Sequence, residues 1–268
     1  MKFQIDHDLH IHSKISDCSN DPLQTNERIL QYAMANGFKT ICLTDHFWDS
    51  KVEGASRWYA PQNYDHIKKA LPLPQADGIK FLFGCETELS KDLTLAIDKA
   101  TFKKFDFVII PTTHFHMSGL TIDPEIRSPE ARAKIWVERL CGVLNMDLPF
   151  HKIGIAHLTC PLITQKAQGF TDEDYINTLN SIPQKDLDEL FIKAAKLGVG
   201  IELNFGDVIF DESAEDAIFR IYKTAKECGC KFYLGSDAHH PDRLEKVIPY
   251  FQKAIDVLEL TEVDKFII

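Results

Sequence analysis

Short apolar runs alternate with amphipathic stretches along the whole chain, and this alternation predicts βα units built around a mainly parallel sheet. Seven runs read as strands: Phe3–His10, Thr40–His46, Lys80–Leu89, Phe107–Phe115, Ile153–Leu158, Val199–Asn204 and Phe232–Asp237. Between them lie helix signals. Asp21 with Pro22 reads as a helix start and Gly37 as its stop, and Ser128 with Pro129 opens another helix in the same way. The 3–4 spacing of Leu187, Leu190, Phe191, Ala194 and Ala195 ends at Gly198, and Pro249 predicts a break in the last helical stretch. No repeat, low-complexity tract or Gly/Ser linker interrupts the pattern, so residues 1–268 are expected to form a single domain, a closed α/β barrel. Segment 47–79, rich in Trp, Pro and Tyr, is the least regular part and is expected to loop over the site.

Composition narrows the function. With 268 residues and 44% hydrophobic positions the chain buries a substantial core. The first residues lack a basic region followed by an apolar one, and no apolar run approaches the roughly 20 residues that span a bilayer, so a soluble, cytoplasmic protein without membrane partners is expected. Seven cysteines without a CxxC pair argue against a disulfide framework. A formal charge of −10 argues against extended nucleic acid as a partner, since backbone binding needs clustered Lys and Arg.

The chemistry sits at the C-terminal ends of the expected strands. Those ends carry Asp8, His10 and His12; Asp45 and His46; Glu86 and Glu88; His114 and His116; His157; Glu202 and Asn204; Asp237, His239 and His240. Only His7, His66 and His151 of the eleven histidines fall outside the set. In a parallel barrel these ends converge on one face, so side chains scattered in sequence would meet. His10 and His12, two apart on a strand, point the same way and can grip one ion. Imidazole and carboxylate donors suit Zn²⁺, Mn²⁺ or Fe²⁺, and Glu86 has two oxygens with which to bridge a pair of ions.

Taken in order, Asp8-Leu9-His10-Ile11-His12-Ser13, Thr44-Asp45-His46, Gly84-Cys85-Glu86, His114, Ile155-Ala156-His157 and Ser236-Asp237-Ala238-His239 resemble the polymerase and histidinol phosphatase superfamily, the PHP domain. The resemblance implies a distorted TIM-like (β/α)7 barrel with two or three divalent ions at the C-terminal face of its strands. It implies a first metal on His10, His12, Glu86 and Asp237, and a second on Glu86, His114 and His157. A third would sit on His46 and His239, helped by the Asp17–Cys18 turn, where many relatives carry a histidine. The implied reaction is attack of a metal-bridging hydroxide on the phosphorus of a small phosphorylated substrate, such as histidinol phosphate or a short nucleotide. Asp45 and His239 stand as candidates for the general acid, and Arg57, Arg127, Arg243 and Lys14 as candidates for binding substrate.

Two other readings compete. Amidohydrolase barrels also begin with His-x-His, but usually with eight strands and a bridging lysine, where this chain has Glu86 and His114. A non-catalytic, metal-stabilised PHP module is the other alternative.

Overall fold

The computed structural model describes residues 1–19, 21–204 and 212–268. Strands β1 (His7–Ile11), β2 (Thr40–Leu43) and β3 (Lys80–Phe83) form one parallel sheet in that order. Strands β4 (Cys85–Glu86), β5 (Val108–Pro111), β6 (Ile153–Ala156), β7 (Gly200–Leu203) and β8 (Lys231–Leu234) form a second, also in chain order. All pairings are parallel. Runs such as Val-Ile-Ile in β5 are wholly buried, as expected of strands covered on both faces.

The single strand expected over Lys80–Leu89 is divided at Gly84, where ladder pairing with β2 stops and pairing with β5 begins, although the Glu86 amide still donates to Thr44 O and Asp45 O after β2. The Gly84 amide donates to Leu43 of β2, and the next amide, Cys85, donates to Phe107 beside β5. A Cβ at Gly84 would lie 2.5 Å from the Phe107 carbonyl and 2.8 Å from Cys42 Sγ, so only glycine allows this approach. The far ends of the two sheets are also in contact. Ile11 forms a parallel bridge with Ala238, the His12 amide donates to Ala238 O at 3.1 Å, and the Asp237 amide donates to His10 O at 2.7 Å.

Helices α1 (Asn26–Ala35), α2 (Tyr64–Ile67), α3 (Pro129–Leu144), α4 (Asp172–Asn180), α5 (Gln184–Leu197), α6 (Glu212–Glu227), α7 (Pro241–Leu244) and α8 (Ile248–Val257) intervene. The start of α1 corrects the expectation at Asp21. There the carboxylate accepts from the Leu23 amide in a local turn, and Thr25, accepting from Arg28 N, is the cap. Ser128 and Pro129 do open α3, and Gly198 closes α5 in the left-handed conformation. The expected interruption near Pro249 is a 3-10 turn, Glu245–Val247, between α7 and α8.

Helix α3 shows how packing secures the frame. Trp136, Leu140, Val143 and Leu144 are buried on one face, each apolar side chain contributing roughly 1.5–3 kcal/mol. On the same helix the buried Arg139 guanidinium donates to the carbonyls of Leu89, Ser90, Thr112 and Thr121, tying down the segments that follow β4 and β5. Among the described residues no helix is long and apolar enough to cross a membrane.

Candidate metal centre

After β1, which runs one residue past its expected end to Ile11, each strand ends earlier than its apolar pattern suggested, because the residues that follow it turn out of the ladder. His157 and Asp237 do so with positive φ, 63° and 52°, in the region that strains any residue with a Cβ. Such geometry persists only where the surroundings enforce it.

The carboxylate of Glu86, fully buried, is the hub. Ring nitrogens of five histidines surround it: His46 Nδ1 at 2.9 Å, His157 Nε2 at 3.0 Å, His12 Nε2 at 3.4 Å, and the Nε2 atoms of His10 and His114 at 3.6 Å. Asp237 Oδ1 lies 3.3 Å from His10 Nε2 and 3.1 Å from His12 Nε2, and those two nitrogens are 3.1 Å apart. His239 stacks on His12 with ring centroids at 4.1 Å. Donor atoms of His10, His12 and Asp237 lie within 4.8 Å of one another, as do those of His10, Glu86 and His157, and those of His12, Cys18, His46 and His239.

The outward nitrogens of these rings are engaged. His10 Nδ1 meets Glu202 Oε1 at 2.5 Å, His114 Nδ1 meets Glu88 Oε2 at 2.9 Å, His12 Nδ1 meets Ser16 Oγ at 3.2 Å, and His239 Nδ1 meets the Asp237 carbonyl at 2.8 Å. With one nitrogen of each ring engaged in this way, the second is left to face inward, as in metal-ligating histidines.

A divalent-ion cluster fits these residues. Glu86 Oε2, Asp237 Oδ1 and His46 Nδ1 are buried and make no well-aligned hydrogen bond, although His46 Nδ1 lies 2.9 Å from Glu86 Oε2, an arrangement that is costly unless something binds them. Burial works to raise the Glu86 carboxyl, yet His46 and His10 hold it well below the usual carboxylate range. Asp237 is likewise held low against burial, by His10, His239 and His157. Burial drives His114 and His239 down to about 3, leaving them neutral and able to ligate, whereas His10, His12 and His157 are raised against burial by the surrounding carboxylates, charge that a divalent ion would replace.

Most candidates from the sequence therefore meet: His10, His12, Cys18, His46, Glu86, His114, His157, Asp237 and His239. Others do not. Asp17 is exposed and touches Gln62 only through its amide; the neighbouring Cys18 is the member of the turn that faces the cluster. Asp45, considered as an acid, is turned away. Its carboxylate is taken up by Ser13 N at 2.7 Å, Ser13 Oγ at 2.8 Å and Ser16 Oγ at 2.9 Å, so it pins the loop after β1 instead of facing a ligand.

Two cavities adjoin the cluster and share Cys18, Asp237 and His239. The inner one, about 200 Å³, also touches Trp58, Tyr59, His116 and Leu162, so segment 47–79 does contribute its wall. The outer one, about 390 Å³, is lined further out by His240, Arg243, Lys246 and Tyr250. Arg243 is thus the one of the four basic candidates placed beside the cluster. Lys14 and Arg57 are exposed and line neither cavity, and Arg127 bonds the Gln168 carbonyl and covers Phe170.

Sequence reasoning placed Glu202 at a strand end but gave it no role. Its signal was a lone acid inside the otherwise apolar Gly-Ile-Glu-Leu of β7. Trp58 and Tyr59 carried no signal beyond their loop's composition.

Comparison with known proteins agrees with this geometry. Over 235 residues the chain is 26% identical to a probable phosphatase of Thermoanaerobacter sp. (strain X514) and equally to one of Thermoanaerobacter pseudethanolicus (strain ATCC 33223 / 39E). In both cases the match covers 87% of this chain and 78% of the relative. A crystal structure of histidinol phosphate phosphatase from Lactococcus lactis subsp. lactis Il1403, complexed with zinc, L-histidinol and phosphate, superposes with a TM-score of 0.58 at 18% identity, covering 93% of each chain. That likeness is one of fold. The PHP domain model matches residues 8–146, which include His10, His12, His46, Glu86 and His114, and by that match the chain belongs to the PHP domain family.

Proposed function

We propose that this chain is a metal-dependent phosphatase that hydrolyses a small phosphorylated molecule. The observation that carries the reading is the Glu86 carboxylate ringed by five inward-facing histidine nitrogens, with Asp237 completing a donor set too rich in ligands for a structural ion alone. The ligand names of the fold neighbour, zinc, L-histidinol and phosphate, point the same way.

In this reading His10, His12, Glu86 and Asp237 would hold a first ion and Glu86, His114 and His157 a second, while His46 and His239 with Cys18, and not Asp17, would hold a third. Divalent ions there supply Lewis acidity, neutralising phosphoryl oxygens and lowering the pKa of water at the site. The chain's own groups do the rest. Glu202, Glu88 and Ser16 orient the ligand rings, and Trp58 and Tyr59 wall off solvent. Arg243 and Lys246 in the outer cavity attract the phosphate-bearing end of the substrate. His239, stacked on His12, is assigned to the third ion and not to proton transfer. The strand segments are read as a seven-stranded distorted barrel, β3 and β4 being one strand interrupted at Gly84; the Ile11–Ala238 bridge supports closure.

The test is a panel of phosphomonoesters, including histidinol phosphate and nucleoside monophosphates, offered to protein loaded with Zn²⁺ or Mn²⁺. Hydrolysis is expected on at least one, lost on chelation and lost in His10→Ala and Asp237→Ala variants that keep their circular dichroism. Inertness toward every ester with metal measured in the protein sinks the proposal. Turnover above about a tenth of wild type in either variant shows the first ion to be misplaced.

A further inference from the structure

Where the chain passes from β1 to α1 it places a sulfur, Cys18 Sγ, against the imidazole of His12 on the same connection and those of His46 and His239 from two other segments. Donor atoms of Cys18, His12, His46 and His239 lie within 4.8 Å of one another, and around a tetrahedral zinc such atoms lie roughly 3.5 Å apart. His46 is 8% exposed, and its Nδ1, though 2.9 Å from Glu86 Oε2, makes no well-aligned hydrogen bond. His12 already turns its Nε2 toward His10 and Asp237 and its Nδ1 toward Ser16. This leaves Cys18, His46 and His239 to share one ion.

We infer that Cys18 is a thiolate ligand and that it makes the third metal position selective for a soft ion, Zn²⁺, over Mn²⁺ and Mg²⁺. The inference rests on reading the site as a metal centre and adds to it which ion this chain's own sulfur selects. Thiolate ligands favour zinc and copper(I), whereas carboxylate and water suit manganese and magnesium. Binding exchanges the thiol proton for the metal: the S–H bond breaks, a sulfur–metal bond forms and the proton leaves to solvent, with no change of oxidation state. Cys18 is partly exposed and lines both cavities, so reagents reach it when no ion is bound.

The experiment is alkylation of the whole folded protein with iodoacetamide, read at the Cys18 peptide by mass spectrometry, after loading with Zn²⁺, Mn²⁺, Mg²⁺ or chelator. Zn²⁺ is expected to slow modification of Cys18 by about tenfold or more, with Mn²⁺ and Mg²⁺ leaving it near the chelated rate. In parallel, Co²⁺-loaded wild type is expected to show sulfur-to-cobalt charge-transfer absorption that C18S lacks, and C18S to hold one zinc ion fewer. Zinc bound at the other positions with Cys18 still fully reactive overturns this inference and leaves the phosphatase reading intact. Equal protection by Mn²⁺ overturns the selectivity. Failure to bind any metal removes both.

Discussion

Glu202 accepts from His10 Nδ1 at 2.5 Å with one carboxylate oxygen and from the His157 amide at 3.1 Å with the other. A single side chain on β7 thereby sets the ring of one proposed ligand and the backbone of another, the latter held at a positive φ of 63°. Removing it leaves His10 free to take the wrong tautomer and strands a buried amide. Glu202→Ala is expected to weaken binding of the first two ions by about 10–100-fold, the usual cost of losing a group that orients a metal ligand. Glu202→Gln, which still accepts from one donor, falls in between. Titration against a chromophoric chelator measures this; wild-type affinity in Glu202→Ala would remove Glu202 from the site.

Gly235 is the reason Glu202 can stand there. A Cβ at position 235 would lie 2.1 Å from Glu202 Oε1 and 2.8 Å from His10 Cβ, closer than atoms can approach. Gly235→Ala must push both side chains aside and is expected to destabilise the fold by about 1–3 kcal/mol while lowering metal affinity. The clash has one main partner, so the same substitution is expected to cost clearly less in a Glu202→Ala background. Thermal unfolding of the four proteins of this cycle decides it; strict additivity would mean that the clash is relieved elsewhere.

How much of this the sequence carried follows from what each feature depends on. Strand order and the convergence of His10, Glu86, His157 and Asp237 were legible because short apolar runs ending in polar ligands reflect local chemistry that parallel strands then align. The split at Gly84 was not, since it depends on the approach of Phe107 and Cys42 from other strands. Asp45 illustrates the same limit. Its position beside His46 is ligand-like, but the serines that occupy it come from the loop after β1. Thr25 displaced Asp21 as the cap of α1 because an aspartate can satisfy a turn as readily as a helix end.

Asp8 gives the metal-free protein a pH dependence whose sign can be worked out. Burial raises its carboxyl from 3.8 to about 6, against hydrogen bonds from Ser236, His10 and Tyr32 that favour ionisation. A raised folded-state pKa means that the fold prefers the protonated acid. The contribution is complete below about pH 4 and is lost as pH rises through 6, an amount of roughly 2–3 kcal/mol for a shift of this size. Asp8→Asn keeps a neutral group of the same shape. The stability of wild type minus that of Asp8→Asn, measured by urea unfolding with chelator present, is expected to fall between pH 4 and 7. A difference that is flat or rises across that range contradicts the assignment.

Arg243 offers the cleanest division between binding and chemistry. The chain carries a formal charge of −10, and the outer cavity beside Asp237 and His239 is where Arg243 and Lys246 place positive charge next to the cluster. A guanidinium there adds bidentate attraction for phosphate oxygens before the ester reaches the ions, an interaction equal in the bound and reacting states. Arg243→Ala is therefore expected to raise KM by about tenfold with kcat little changed, since losing uniform binding has that signature. The residue is exposed, so added salt should erode the wild-type advantage, the screening length being about 10 Å at 0.1 M. Lys14→Ala and Arg57→Ala, which line neither cavity, serve as controls expected to leave both constants unchanged. A fall in kcat with KM constant would place Arg243 at the reacting phosphate itself, and no change at all would show that substrate enters elsewhere.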